Sequence, residues 1–211
     1  MKIKKYKKSE KGFAIALALI MLLVMSLMGA TLVMVAASDH KKNATKDASQ
    51  QSFYAAETGI TEAKRWLAAQ PSLSANNDPS SKLKFCKTSL FSNLSSPKAI
   101  NDWVGTESLD KIIFPTGPDA NKEKDRLKKY SYEYFITYTP DQNGNTSTAR
   151  TKTVAGTTGS SVAEGTSYKS GGTSTGTHYT IFSCGCNAAG SKCKQGDNTI
   201  VKLIADVVLI K

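Results

Sequence analysis

The strongest constraint on this chain is a run of 25 residues, Phe13 to Ala37 (FAIALALIMLLVMSLMGATLVMVAA), without a charged side chain. At the helical rise, such a segment spans about 37 Å, enough to cross the hydrocarbon core of a bilayer. It is also well beyond the core of about 7 to 15 residues found in a secretory signal. Residues 1–12 (MKIKKYKKSEKG) precede it with six lysines and one glutamate. The positive-inside rule therefore predicts a cytoplasmic N-terminus, a single pass through an inner membrane and an exported remainder. Val35, Ala36 and Ala37 leave a cleavable secretory signal as a second reading. No cysteine follows closely, so lipoprotein attachment has no support.

Helical periodicity continues past the apolar run. Ala44, Ala48, Ser52, Ala56, Ile60, Ala63 and Leu67 recur at spacings of three and four with no intervening proline, until Gln70 precedes Pro71. One helix over residues 13 to 69 is predicted, apolar all round in its first half and bearing a stripe of small residues in its second. The predicted division is a basic leader 1–12, a transmembrane half-helix 13–37, an exported half-helix 38–70 and an exported domain 71–211.

Charge narrows the partners. The chain carries 28 Lys and Arg against 17 Asp and Glu, a net +11, of which the leader supplies +5. The excess over the other 199 residues is mild and comes without a nucleic-acid reader motif, so no nucleic-acid partner is expected. With two histidines, His40 and His178, imidazole-based catalysis and zinc binding are poorly supplied.

The junction Lys11-Gly12-Phe13, with a basic leader before it and an unbroken apolar helix after it, resembles a class III prepilin signal. The resemblance implies that a prepilin peptidase cuts between Gly12 and Phe13 on the cytoplasmic side and methylates the new N-terminal phenylalanine. It also implies that the apolar helix stays on the mature chain as an assembly helix. Most pilins have a glutamate at the fifth mature position, which pairs with the terminal amine of a neighbouring subunit, but here that position is Leu17. Its absence is similar to PilX-type minor pilins of type IV pili and to the K-type pseudopilin of type II secretion, placed at a filament tip. The segment Phe53-Tyr54-Ala55-Ala56-Glu57-Thr58-Gly59-Ile60 resembles the A-A-E-x-G element of PilX-type N-terminal regions, which marks Glu57 and Gly59. The implied function is that of a structural subunit whose partners are the peptidase, other major and minor pilins and the inner membrane, ending in a pilus, the periplasm or at the cell surface. A single-pass, periplasm-facing adhesin or receptor remains the alternative.

The exported part is predicted to be α+β, an antiparallel sheet packed on the long helix, as in pilins. Residues 71–128 read as loops with one or two short helices, interrupted by five prolines. From Tyr130 the period becomes two, with Tyr130, Tyr132, Tyr134, Ile136 and Tyr138 on one face. Residues 177–184 and 199–210 supply two further strands. Between strands, residues 143–177 hold 23 Gly, Ser or Thr among 35 and predict a polar excursion or exposed loop. Asp141 to Asn145 (DQNGN) predicts a hairpin turn rather than a calcium loop.

Four cysteines, Cys86, Cys184, Cys186 and Cys193, predict two disulfides in an exported domain. A bridge between Cys184 and Cys186 is disfavoured by strain, so Cys86 joins one of them and Cys193 the other. No nucleophile elbow, zinc-protease helix or phosphate-cradling glycine loop is present, so the expectation is a protein that is no enzyme and needs no cofactor or metal.

Overall fold

A computed structural model describes residues 11–154, 174–194 and 200–210, with only the backbone at 11, 12, 152–154 and 174. Residues 1–10 of the leader and the middle of the Gly/Ser/Thr-rich stretch lie outside the described residues. The chain divides into two units, Met1–Asp47 and Ala48–Lys211. Helix α1 runs Lys11–Ala69, as its periodicity predicts, and ends one residue before Gln70.

In the first unit, α1 is long and apolar enough to cross a membrane. Phe13 to Val35 present their side chains outward; Phe13 is 73% exposed and Leu17 44%. The two hydroxyls of the apolar run 13–37 need no outside partner, because Ser26 donates to the Leu23 carbonyl and Thr31 to that of Met28, both at 2.8 Å. That internal pairing is what a polar group in hydrocarbon requires.

The second unit is α+β. Its sheet comprises β1 (Ala99–Ser108), β2 (Ser131–Tyr138), β3 (Arg150–Val154), β4 (Ser174–Cys186) and β5 (Ile200–Ile210), with every pairing antiparallel. The central strand is β4. Residues 179–186 pair with β2 and residues 174–178 with β3, so these two strands follow one another along one edge of β4, while β5 takes the other edge. Outermost is β1, against β2. A short helix, α2 (Ala120–Leu127), links β1 to β2.

Every residue of β2 is buried, because both faces of the sheet are covered. Tyr132, Tyr134, Ile136 and Tyr138 share one core with Ala55, Ala63 and Leu67 of α1. On the opposite face, Phe135, Phe182, Cys184 and Cys186 pack with Phe85, Cys86 and Phe91. The period-two reading of β2 thus marks two cores, each of alternate residues.

Three sequence expectations need correction. The loop-rich stretch 71–128 contains the ten-residue strand β1. Asn101 and Asp102, at φ 49° and 54°, bulge it and break its alternation. The bulge holds the incoming chain, since Asn101 Oδ1 accepts the Ser74 N–H at 3.0 Å and Asp102 Oδ1 accepts that of Asn77 at 2.7 Å. The polar excursion, in turn, contributes β3 and the first residues of β4. Finally, Asp141–Asn145 does turn, with Gly144 at φ 77°. The flanking strands β2 and β3 do not pair with each other, so the turn closes no hairpin.

Candidate assembly helix and the pinned head domain

Gly12 and Phe13 lie in the first turn of α1, which contains no acidic residue. Leu17 follows one turn later on the same exposed apolar surface. No carboxylate occurs between Phe13 and Ala37, so this segment can be surrounded by lipid or by other apolar helices without desolvating a charge.

The element around Glu57 and Gly59 has a clear local role. Ala55, Ala56 and Gly59 are buried against the sheet, whereas Glu57 is exposed. Small side chains there let the helix backbone approach β4 closely. Ser183 Oγ donates to the Ala56 carbonyl at 2.8 Å. A Cβ built on Gly185 would overlap the Ser52 carbonyl oxygen and come within 2.6 Å of the Ala56 nitrogen. A Cβ on Gly59 would meet Ser183 Oγ. Gly59 therefore serves the seat of helix on sheet, while Glu57 is free to face another molecule.

Both disulfides are present, Cys86 with Cys184 and Cys186 with Cys193. Of the two pairings the sequence leaves open, this one joins the loop preceding β1 to the C-terminal end of β4. Glu133, fully buried on β2, reinforces the same junction. Its carboxylate accepts the backbone N–H groups of Lys84 at 2.9 Å, Phe85 at 2.8 Å and Cys86 at 2.6 Å, together with the Thr106 hydroxyl at 2.8 Å. Four donors around one carboxylate satisfy a charge that burial would otherwise make costly. In the sequence Glu133 shows nothing of this role beyond being a carboxylate amid aromatic residues. Ser183 and Gly185 carried no signal of helix contact.

The tyrosine face is apolar enough to alter ionisation. Burial pushes the phenols of Tyr132, Tyr134, Tyr138 and Tyr179 up from their usual range. Trp103 Nε1 donates to the Tyr134 hydroxyl at 3.1 Å, which opposes part of that rise, and Trp103 stacks on Trp66 with centroids 5.0 Å apart.

Among the described residues, no group of three His, Cys, Asp or Glu side chains is arranged to hold a metal. A polar cavity of about 460 Å³ lies between Ser92–Ser95 and Asp141–Gly144. Its carboxylate, Asp141, is turned onto its own loop, where Oδ1 accepts the Asn143 and Asn145 N–H groups at 2.8 and 2.9 Å. His178 sits on β4 opposite Arg150 and Val208, away from any thiol, since Cys184 is disulfide-bonded. No protein-family model matches the chain, and neither curated proteins nor solved structures give a match.

Proposed function

We propose that this chain is a minor-pilin-like structural subunit of a type IV pilus or secretion pseudopilus, processed between Gly12 and Phe13. It acts by packing its apolar helix beside those of other pilins. The observation that carries this reading is the pairing of two features in one helix. Phe13–Ala37 buries nothing, while residues 52–67 of the same element are shaped by small residues to seat on a sheet. A plain anchor needs the first feature but has no use for a leader that ends in Gly-Phe. The N-terminus is cytoplasmic and the disulfide-bonded head is exported, in keeping with six leader lysines and two disulfides. Leu17 supports a terminal position in the filament, because a subunit without a carboxylate there cannot neutralise the amine of a subunit above it.

The test is the mass and N-terminal sequence of the chain recovered from membranes of cells with and without a prepilin peptidase. The expected product begins at methylated Phe13 only when the peptidase is present, and replacing Gly12 leaves a protein longer by the leader's twelve residues. An intact Met1 start in both strains would favour a membrane-anchored adhesin or receptor. A start at Ser38 would mean a secreted domain without an assembly helix.

A further inference from the structure

We infer that the outer edge of β5 is a self-complementary docking edge, to which a second copy of this chain adds its own β5, antiparallel and in one register centred on Ile204. Strand β5 pairs with β4 over all eleven residues without a register shift, and its other edge has no strand beside it. Among the described residues, no backbone-to-backbone hydrogen bond from outside the sheet reaches it. The other long edge, that of β1, is bulged and partly taken, since residues 74–77 bond to Ala99 and Asn101 there. Edge strands are usually blunted by proline, bulges, covering loops or several charges. Residues 200–210 contain no proline and two charged side chains, Lys202 and Asp206, with Ile204, 55% exposed, between them.

The order of these side chains selects the partner. Ala205 and Val207 join the core beneath α1, so Lys202, Ile204 and Asp206 share the opposite face of the sheet. When two β5 strands pair about a two-fold axis, the register that sets Ile204 opposite Ile204 also sets each Lys202 opposite an Asp206. On the other face it sets Val201 opposite Val207 and Leu203 opposite Ala205. A slip of two residues leaves both charges facing apolar side chains, and a slip of four sets Lys202 or Asp206 against itself. Neither charge is used up within the chain. The Leu90 carbonyl takes one of the three ammonium protons of Lys202, at 2.7 Å, and the Thr180 hydroxyl donates to one oxygen of Asp206, at 2.6 Å. Both side chains are exposed.

The two-fold axis of such a pair stands perpendicular to the sheet and reverses every direction in its plane. Along α1, Ser52 lies against Gly185 and Ala56 against Ser183, so this part of the helix runs along β4. It therefore points in opposite directions in the two copies. Chains inserted side by side in one membrane share one direction, so the pair joins chains from separate membranes or particles. The inference rests on α1 as a membrane span and is independent of cleavage at Gly12.

The experiment uses the full chain at one copy per nanodisc, and sedimentation velocity counts the discs that pair. One strand edge is a small contact, so a Kd on the order of 10 µM is expected. Ile204→Lys sets two ammonium groups face to face and should abolish pairing. Asp206→Lys should weaken it at least about tenfold. Lys202→Asp combined with Asp206→Lys should restore pairing between its own copies and fail to pair with the unaltered chain. Thermal midpoints and native disulfides should be unchanged throughout. Under mild oxidation Ile204→Cys should link two chains, whereas Phe114→Cys, exposed elsewhere on the head, should not. The inference is overturned by unpaired discs at about 100 µM, ten times the expected Kd. It is equally overturned by pairing that Ile204→Lys leaves intact, or by a charge-swapped chain that pairs with the unaltered chain as readily as with itself. A chain that does not enter nanodiscs overturns the α1 span, and the inference with it.

Discussion

Glu133 and Cys184 face each other across β2 and β4, and both hold the same three-residue segment, Lys84 to Cys86. One does so by hydrogen bonds and the other by a covalent bond. The bond ties the segment at one side chain, whereas the carboxylate fixes the direction of three successive N–H groups.

The first prediction separates these contributions. Glu133→Gln keeps the shape but replaces an oxygen acceptor with an N–H₂ group facing backbone donors. The loss should be about 1.5–3 kcal/mol, the worth of hydrogen bonds to a buried charged group. Urea unfolding of the oxidised protein measures it. A change below about 0.5 kcal/mol would leave the disulfide as the only tie that matters.

The two disulfides should differ in worth because they close loops of different length. In the chain-entropy picture a separation of 98 residues gives about 4.7 kcal/mol, and one of 7 gives about 2.4 kcal/mol. Replacing Cys86 and Cys184 by alanine should therefore lower the midpoint of unfolding by roughly twice as much as replacing Cys186 and Cys193. Equal losses would show that the long loop keeps its ends together without the bond.

How much of this was legible in the sequence depends on the range of the signal. Helix α1 and strand β2 are written in local periodicity and could be read within a residue or two. Strand β1 could not, because Asn101 and Asp102 adopt left-handed backbone to hold residues 74 and 77, a demand set from outside the strand. For β3, the pairing partner decides, since a run of Arg, Thr and Lys becomes a strand only where β4 extends past β2. The cysteines were recognisable as two bridges, but their partners depend on where along the same face of β4 residues 86 and 193 are brought by the fold. Glu133 was hidden because its backbone donors are 47 to 49 residues away in the chain.

A third prediction concerns the seat of helix on sheet, where two glycines should respond differently to alanine. At Gly185 the added Cβ runs into the backbone of Ser52 and Ala56, which cannot rotate away. The cost should fall at the upper end of about 1–3 kcal/mol. At Gly59 the added Cβ meets a hydroxyl that can turn, so the loss of the Ser183 bond, about 1 kcal/mol, is offset by a similar gain in helix propensity. Gly59→Ala should stay within about 1 kcal/mol of the unaltered chain. If thermal unfolding ranks the two the other way round, the helix does not rest on β4 where Gly185 lies.

The fourth prediction follows from the tyrosine face. Tyr132, Tyr134, Tyr138 and Tyr179 are buried beside α1, and desolvation disfavours their phenolates, so each ionises at higher pH in the folded head than in the unfolded chain. Below the unfolded tyrosine value of about 10 all four are neutral in both states and contribute no pH dependence. Above it the unfolded chain releases protons that the folded head retains. The unfolded state then binds fewer protons, and stability falls as pH rises. Urea midpoints should be flat across neutral pH and decline from about pH 10 upward. Phenolate absorbance at 295 nm should rise for these four only together with loss of the fold. A Tyr138→Phe substitution should flatten the decline slightly, since it removes one of the four groups while retaining its apolar ring in the core. Gradual phenolate formation at constant fold would mean that water reaches this face, and the close contact of helix and sheet would then be looser than the geometry around Gly185 requires.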